Sequence, residues 1–144
     1  MEDYHPPKLE NQLCFPLYVI SKEIIGLYRP FLNELDITYS QYLVMMVLWE
    51  KDGLTVNQIG EKLYLDSGTL TPLLKKLEIK GFVIRERKKE DERVVQVFLD
   101  DQGRNLQQKA CEIPVKMKEK LNLTTEDLFE LKETVQKILN KIQQ

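Results

Sequence analysis

Asp66-Ser67-Gly68-Thr69-Leu70-Thr71-Pro72-Leu73-Leu74-Lys75-Lys76-Leu77, followed shortly by Arg85-Glu86-Arg87-Lys88-Lys89-Glu90-Asp91-Glu92-Arg93, decides how the chain is read. The first string has apolar residues at helical spacing, with Leu70, Leu73, Leu74 and Leu77 on one stripe. Its other face carries Gly68, Pro72 and Lys75, flanked by Thr69, Thr71 and Lys76. Short hydroxyls and backbone amides at a helix start suit base edges and phosphates, and lysines further along suit phosphates or guanine. The second string is too charged to be buried and joins two β-branched runs, Val83–Arg87 and Val94–Leu99, as a basic hairpin. A helix sized for the major groove with a charged two-stranded ribbon behind it is the layout of a winged helix-turn-helix. Taken alone, the helix could equally be a solvated amphipathic surface helix; the hairpin in register behind it favours the groove-reading alternative.

Working backwards, Thr55 caps a short helix from Val56 to Leu63 or Tyr64, with Ile59 and Leu63 as wedge residues and Gly60 as the small residue where helices cross. The turn Tyr64-Leu65 lacks the glycine common in such turns. Asp66 or Ser67 caps the reading helix, which stops at Lys80 with Gly81 behind it. Further upstream, Thr38 or Ser40 opens a buried helix reaching Glu50. Apolar residues from Leu9 to Leu35 recur at helical spacing and predict one long helix, bent or ended near Pro30; Pro16 fits only if it lies in a first turn. Downstream, Asp100 caps a fifth helix to about Lys120, kinked at Pro114. Thr124-Thr125-Glu126-Asp127 starts the last helix, with Leu128, Leu131, Val135, Ile138, Leu139 and Ile142 as its apolar face. The fold class is therefore mainly α with a small β-wing. Residues 1–144 form a single domain, with residues 38–99 as the winged helix-turn-helix and residues 9–35 and 100–142 as flanking dimerisation helices. Residues 1 to about 8, with paired prolines, are expected to be a flexible arm.

The flanking helices hold more apolar surface than a small winged domain needs. A two-fold homodimer on a pseudo-palindromic double-stranded DNA site is the expected use of it, an intramolecular bundle the alternative.

A net charge of -2 and a sequence pI of about 5.6 argue against a generally basic nucleic-acid binder. The local balance is opposite: from Lys75 to Arg93, eight basic residues face five acids. The field at the binding face governs phosphate attraction, so the whole-molecule sum is not decisive. Arg87, Lys88, Lys89 and Arg93 are expected to reach along the DNA backbone, one arginine entering the minor groove, and Arg85 is expected among the DNA-binding residues; Asp91, two residues before Arg93, can hold that guanidinium in a fixed pose.

The first residues contain no apolar core of a leader, and the longest apolar run, Tyr42 to Trp49, is far short of the ~20 residues a membrane span needs. A cytoplasmic protein without membrane partners is expected, with Cys14 and Cys111 reduced at rest. Two cysteines and a lone His5 make no metal site, and no cofactor is expected.

The string Leu63-Tyr64-Leu65-Asp66-Ser67-Gly68-Thr69-Leu70-Thr71-Pro72-Leu73-Leu74-Lys75-Lys76-Leu77-Glu78, with Glu90-Asp91-Glu92-Arg93, resembles the MarR family of winged-helix repressors. Asn11-Gln12-Leu13-Cys14-Phe15 and Thr38-Tyr39-Ser40-Gln41-Tyr42 look like its organic-hydroperoxide-sensing branch. The resemblance covers nearly the whole chain and is weakest after about Leu121. It implies a homodimeric repressor of peroxide-stress genes. It further implies a redox-sensing thiol at Cys14, supporting hydroxyls at Tyr18, Tyr28 and Tyr39 supplied partly by the partner subunit, and groove contacts from Asp66, Ser67, Thr69 and Lys76 with Asp91 and Arg93 in the wing. Its effectors would be an organic hydroperoxide and a low-molecular-weight thiol. Pro16 departs from the pattern, and Cys111 does not fall where two-cysteine members carry a second thiol. From the residues alone a packing role is the better reading of Cys14, and the resemblance is what turns it toward redox sensing. Two other functions are open: the same DNA reader switched by a small aromatic ligand, and a thiol peroxidase using Cys14.

Overall fold

The computed structural model describes residues 5–144. Part of the N-terminal arm expected from sequence lies outside the described residues. One compact unit runs to Cys111 and a second comprises Glu112–Gln144. In the first, a 3₁₀ turn at Leu9–Asn11 precedes α1 (Cys14–Glu34), α2 (Tyr39–Glu50), β1 (Leu54–Thr55), α3 (Val56–Leu63), α4 (Ser67–Ile79), β2 (Val83–Arg87), β3 (Val95–Leu99) and α5 (Asp101–Ala110). The second holds α6 (Ile113–Leu121) and α7 (Thr125–Ile142).

Local chemistry accounts for the boundaries. The Thr38 and Thr55 hydroxyls accept from the third amide of their helices while Gln41 and Gln58 reach back to the cap amide, two reciprocal capping boxes. Asp66 caps α4, and Gly81, at φ +82°, ends it by letting the Phe82 N–H donate to the Leu77 carbonyl. α1 ends in the same way without glycine: Asp36 takes φ +56° and the Ile37 N–H donates to the Leu32 carbonyl, with Leu32 and Ile37 both buried.

The structure differs from the sequence expectation at three places. The long first helix is a 3₁₀ turn followed by α1; Pro16 lies in the first turn of α1, where the missing N–H costs nothing, and Pro30 stays inside the helix rather than ending it. The fifth helix is not kinked at Pro114 but broken. α5 stops at Ala110, and Pro114 sits at the start of α6, where a proline is pre-organised. The sheet has three strands in the order β1-β3-β2, all antiparallel, because Leu54 and Thr55 pair with Val97 and Gln96. A two-residue strand leaves no periodicity to read. The turn before α4 works without glycine because Tyr64 itself adopts the left-handed conformation at φ 57°, a geometry that costs a side-chain-bearing residue about 1–2 kcal/mol.

The core of the first unit forms where α2, α3, α4 and the sheet meet. Val44, Met45, Leu48, Ile59, Leu70, Leu74, Leu77 and Val97 are fully enclosed there. Trp49 donates its indole N–H to the Gly103 carbonyl at 2.8 Å, fastening α2 to α5. Gly60 serves a tighter purpose than a helix crossing. A Cβ there would stand 2.5 Å from the Leu65 carbonyl, whereas the nearest α4 atom is 3.8 Å away. Gly60→Ala therefore forces the α3–α4 turn apart; a loss of about 1–3 kcal/mol in unfolding free energy is expected, read by thermal or urea denaturation.

Candidate nucleic-acid interface and candidate thiol site

The reading helix is held from beneath and bare above. Leu70, Leu74 and Leu77 are buried, while Ser67, Gly68, Thr69, Pro72, Lys75 and Lys76 are exposed and Thr71 is half-buried. The Asp66 carboxylate is occupied by its cap: Oδ1 accepts the Thr69 N–H at 2.7 Å, and that backbone bond holds the carboxyl below its usual range. Lys75 and Lys76 have no carboxylate partner among the described residues, so their charge is available to a ligand.

The wing divides its arginines by task. Arg93 is exposed over 91% of its side chain, yet Asp91 fixes it: Nε donates to Oδ1 at 3.0 Å, Nη2 to Oδ2 at 3.2 Å, and the Arg93 backbone N–H to Oδ1 at 3.1 Å. Those bonds, the side-chain pair foremost, lower the Asp91 pKa. An exposed ion pair adds little stability, so its consequence is the pose of the guanidinium. Arg87 donates from Nη1 to the Glu92 carbonyl at 2.8 Å and braces the hairpin. Arg85 turns inward. Its backbone N–H donates to Glu78 Oε2 at 2.9 Å and its Nη2 to Oε1 at 3.1 Å, so the guanidinium ties β2 to the end of α4. Glu78 was not singled out from the sequence; a carboxylate seven residues from its arginine across a helix end leaves no pattern. Lys80, counted above with the basic window, also points into the protein, toward Asp36 and Gln41.

The sulfur-bearing end is separate. Cys14 is the first residue of α1, exposed, with Tyr18 one turn further along and also exposed. The Lys22 ammonium lies 5.9 Å from the Tyr18 ring centre. Tyr28 follows Cys14 by fourteen residues, a helical rise of roughly 21 Å. Tyr28 packs on Tyr39, ring centres 5.0 Å apart, and on Tyr42 at 5.9 Å. Burial, first of all, raises the pKa of all three phenols, which keeps them protonated donors at neutral pH. One chain thus groups Cys14 with Tyr18, and Tyr28 with Tyr39 and Tyr42. Both cysteines are free thiols and both are exposed. Among the described residues there is no cluster that could hold a metal, and no helix is long and apolar enough to cross a membrane.

A capped helix seated on a helix-turn-helix, flanked by a three-stranded sheet with a charged hairpin tip, defines a winged helix-turn-helix regulator. The chain belongs to the SarA/Rot family of transcriptional regulators, whose model matches residues 26–110. It is 47% identical over 137 residues to the organic hydroperoxide resistance transcriptional regulator of Bacillus subtilis, covering 95% of this chain and 93% of that protein. That likeness agrees with the hydroperoxide-sensing branch of MarR-type proteins suggested by the sequence. Among solved structures it resembles reduced AbfR bound to DNA, with 38% identity, a TM-score of 0.79 and coverage of 94% of this chain and 95% of the other. It also resembles disulfide-formed AbfR, with 39% identity, a TM-score of 0.67 and coverage of 91% and 92%. AbfR is a protein of Staphylococcus epidermidis.

The Glu78 bonds have a pH signature. The backbone N–H of Arg85 is the main cause that holds the Glu78 carboxyl below its ordinary range, with the guanidinium adding to it. A depressed carboxylate contributes stability that is complete above its unfolded pKa and is lost as pH falls through its folded one. Glu78→Gln should therefore flatten the acid limb of the melting temperature against pH below about pH 5, with little change in slope near neutrality.

Proposed function

We propose that this protein is a homodimeric DNA-binding repressor that leaves its operator when Cys14 is oxidised by an organic hydroperoxide. The observation that carries the reading is the accessible thiol at the start of α1, in the same compact unit as the reading helix and wing. The sulfur, as thiolate, attacks the terminal peroxide oxygen: an S–O bond forms as the O–O bond breaks, sulfur is oxidised to the sulfenic acid, and the departing alkoxide takes a proton from water and leaves as the alcohol. A low-molecular-weight thiol then condenses with the sulfenic acid, giving a mixed disulfide and water. Apolar side chains stand exposed at the N-cap of α1 (Leu13), on α1 itself (Phe15, Leu17, Ile20) and on α7 (Phe129, Leu131, Val135, Ile138), and a second copy of the chain would cover them. In that dimer Tyr28, too far along α1 to serve its own chain's Cys14, and Tyr39, which packs on Tyr28 from the start of α2, would support the partner's thiol. The relatives named as hydroperoxide resistance and SarZ regulators, and AbfR solved on DNA in reduced and in overoxidized form, support a DNA-binding regulator that is subject to oxidation.

On DNA, Ser67, Thr69, Thr71, Lys75 and Lys76 would face the major groove, and Arg93, posed by Asp91, would enter the minor groove. Asp66 would contribute by fixing the helix start, and Arg85 and Arg87 by bracing the wing more than by touching phosphate.

A second reading has one observation behind it. A pocket of about 390 Å³ lies between α1 and the start of α2, lined by Ile25, Arg29, Leu32 and Tyr39 among others, and would suit a small aromatic acid. The deciding measurement is an operator gel shift with the promoter of its own gene, before and after cumene hydroperoxide plus free cysteine, in wild type and Cys14→Ser. Release of the wild type by ~5–150-fold in affinity with the serine variant unmoved is expected. Equal release of both would overturn the redox reading; release by an aromatic acid in both would favour the second. Arg93→Ala should weaken operator binding and reduce the salt dependence of affinity by about one phosphate contact, whereas Arg85→Ala should leave that slope unchanged and lower thermal stability.

A further inference from the structure

We infer that Lys80 is the positioning residue that links the sensor helix α1 to the reading helix α4. The side chain leaves the C-terminal cap of α4 and its ammonium is drawn into the bend that ends α1. Nζ donates to the Asp36 backbone carbonyl and to Gln41 Oε1 at 3.4 Å, and lies 3.7 Å from the Asp36 carboxylate. The Lys80 side chain is only 27% exposed. All three acceptors around the ammonium come from the α1–α2 junction.

Each partner is itself fixed. Asp36 is the left-handed residue that stops α1, and Gln41 is the buried glutamine whose Oε1 also accepts the Thr38 N–H in the capping box of α2. Lys80 therefore joins the ends of two helices at the points where each is stopped by a positive-φ residue, Asp36 behind α1 and Gly81 behind α4. From Cys14 to Glu34, α1 spans roughly 30 Å and is continuous through Pro30. A displacement at its thiol end has to appear at its far end, and there Lys80 meets it. Coupling of this kind is reciprocal: what α1 does to α4, DNA on α4 does to the end of α1.

The inference about oxidation rests on the redox reading above; the reciprocal effect of DNA does not, and the experiment uses both. Full-length wild type, Lys80→Met and Lys80→Arg are compared. Met keeps the packing of the aliphatic stem and removes the charge and its donors. In the reduced proteins, amide hydrogen exchange is followed over residues 35–42 with and without operator DNA. DNA should slow exchange there in wild type and in Lys80→Arg, and should do so at most a third as strongly in Lys80→Met. Operator affinity is then measured before and after cumene hydroperoxide plus cysteine, with intact mass confirming modification of Cys14. Reduced affinities should agree within about threefold, while the oxidised-to-reduced ratio falls at least threefold in Lys80→Met and recovers in Lys80→Arg. A merely structural lysine would lower the melting temperature and leave both readouts at wild-type size. DNA protection of residues 35–42 that is equal in wild type and Lys80→Met, or absent from wild type, overturns the inference. If that protection depends on Lys80 but oxidation leaves wild-type affinity unchanged, the redox reading falls and the link stands.

Discussion

Everything that reaches DNA depends on the way three leucines seat α4. Leu70, Leu74 and Leu77 are buried completely, at about 2 kcal/mol of hydrophobic gain for each side chain, and together they fix the rotation of the helix about its axis. Once that rotation is set, the small and hydroxylated residues at the helix start and the two lysines beyond have no choice but to face solvent. The wing is then referenced to the same helix: Glu78, on its last turn, accepts both the backbone and the side chain of Arg85 on β2. Core packing and surface presentation are therefore one constraint, and a change beneath α4 alters what is offered above it.

The charge distribution obeys the same logic. An acidic protein can hold an anionic polymer if its cations are free and its anions are occupied where contact occurs. Asp66 is bonded to a backbone amide, Glu78 to Arg85 and Asp91 to Arg93, so three of the acids nearest the reading surface spend their lone pairs inside the protein. Lys75 and Lys76 have no such partner among the described residues. Formal counting treats Asp91 and Lys75 as cancelling; Asp91 is held by Arg93 while Lys75 has no carboxylate partner among the described residues, and that makes them unequal.

Caps and periodicity made most of this fold legible. Thr55 and Asp100 cap the helices expected of them, Thr38 and Asp66 are the caps where Ser40 and Ser67 were the alternatives, and Thr124 opens the last helix from within the expected string, because capping is chemistry between residues a few positions apart. The misses required either longer range or a finer rule. β1 is two residues long and exists only because β3 offers it an edge. The break before α6 follows from reading Pro114 as a helix starter instead of a helix breaker, a choice the sequence poses without deciding. In the candidate site, Asp91 and Arg93 could be paired on paper because they lie two residues apart. Glu78 with Arg85, and Lys80 with Asp36, could not, since each pair is made by tertiary placement. The sequence therefore supplied the basic residues and left open which of them point outward.

The tyrosines carry the last step. A thiol at one end of α1 and a pair of half-buried phenols toward its other end cannot meet in a single chain, since the helix between them is rigid over that distance. If the phenols do serve a thiol, it belongs to another copy, antiparallel along α1, and sensing is then a property of the dimer and not of the fold. Such an arrangement gives the signal its leverage. Chemistry on one chain's sulfur would disturb the second chain's Tyr28 and Tyr39 at the end of α1 nearest to Asp36, where α1 gives way to the elements that carry the reading helix. Each sulfur would then act on the opposite head, so that modifying one subunit changes the spacing both heads must share on a two-fold site.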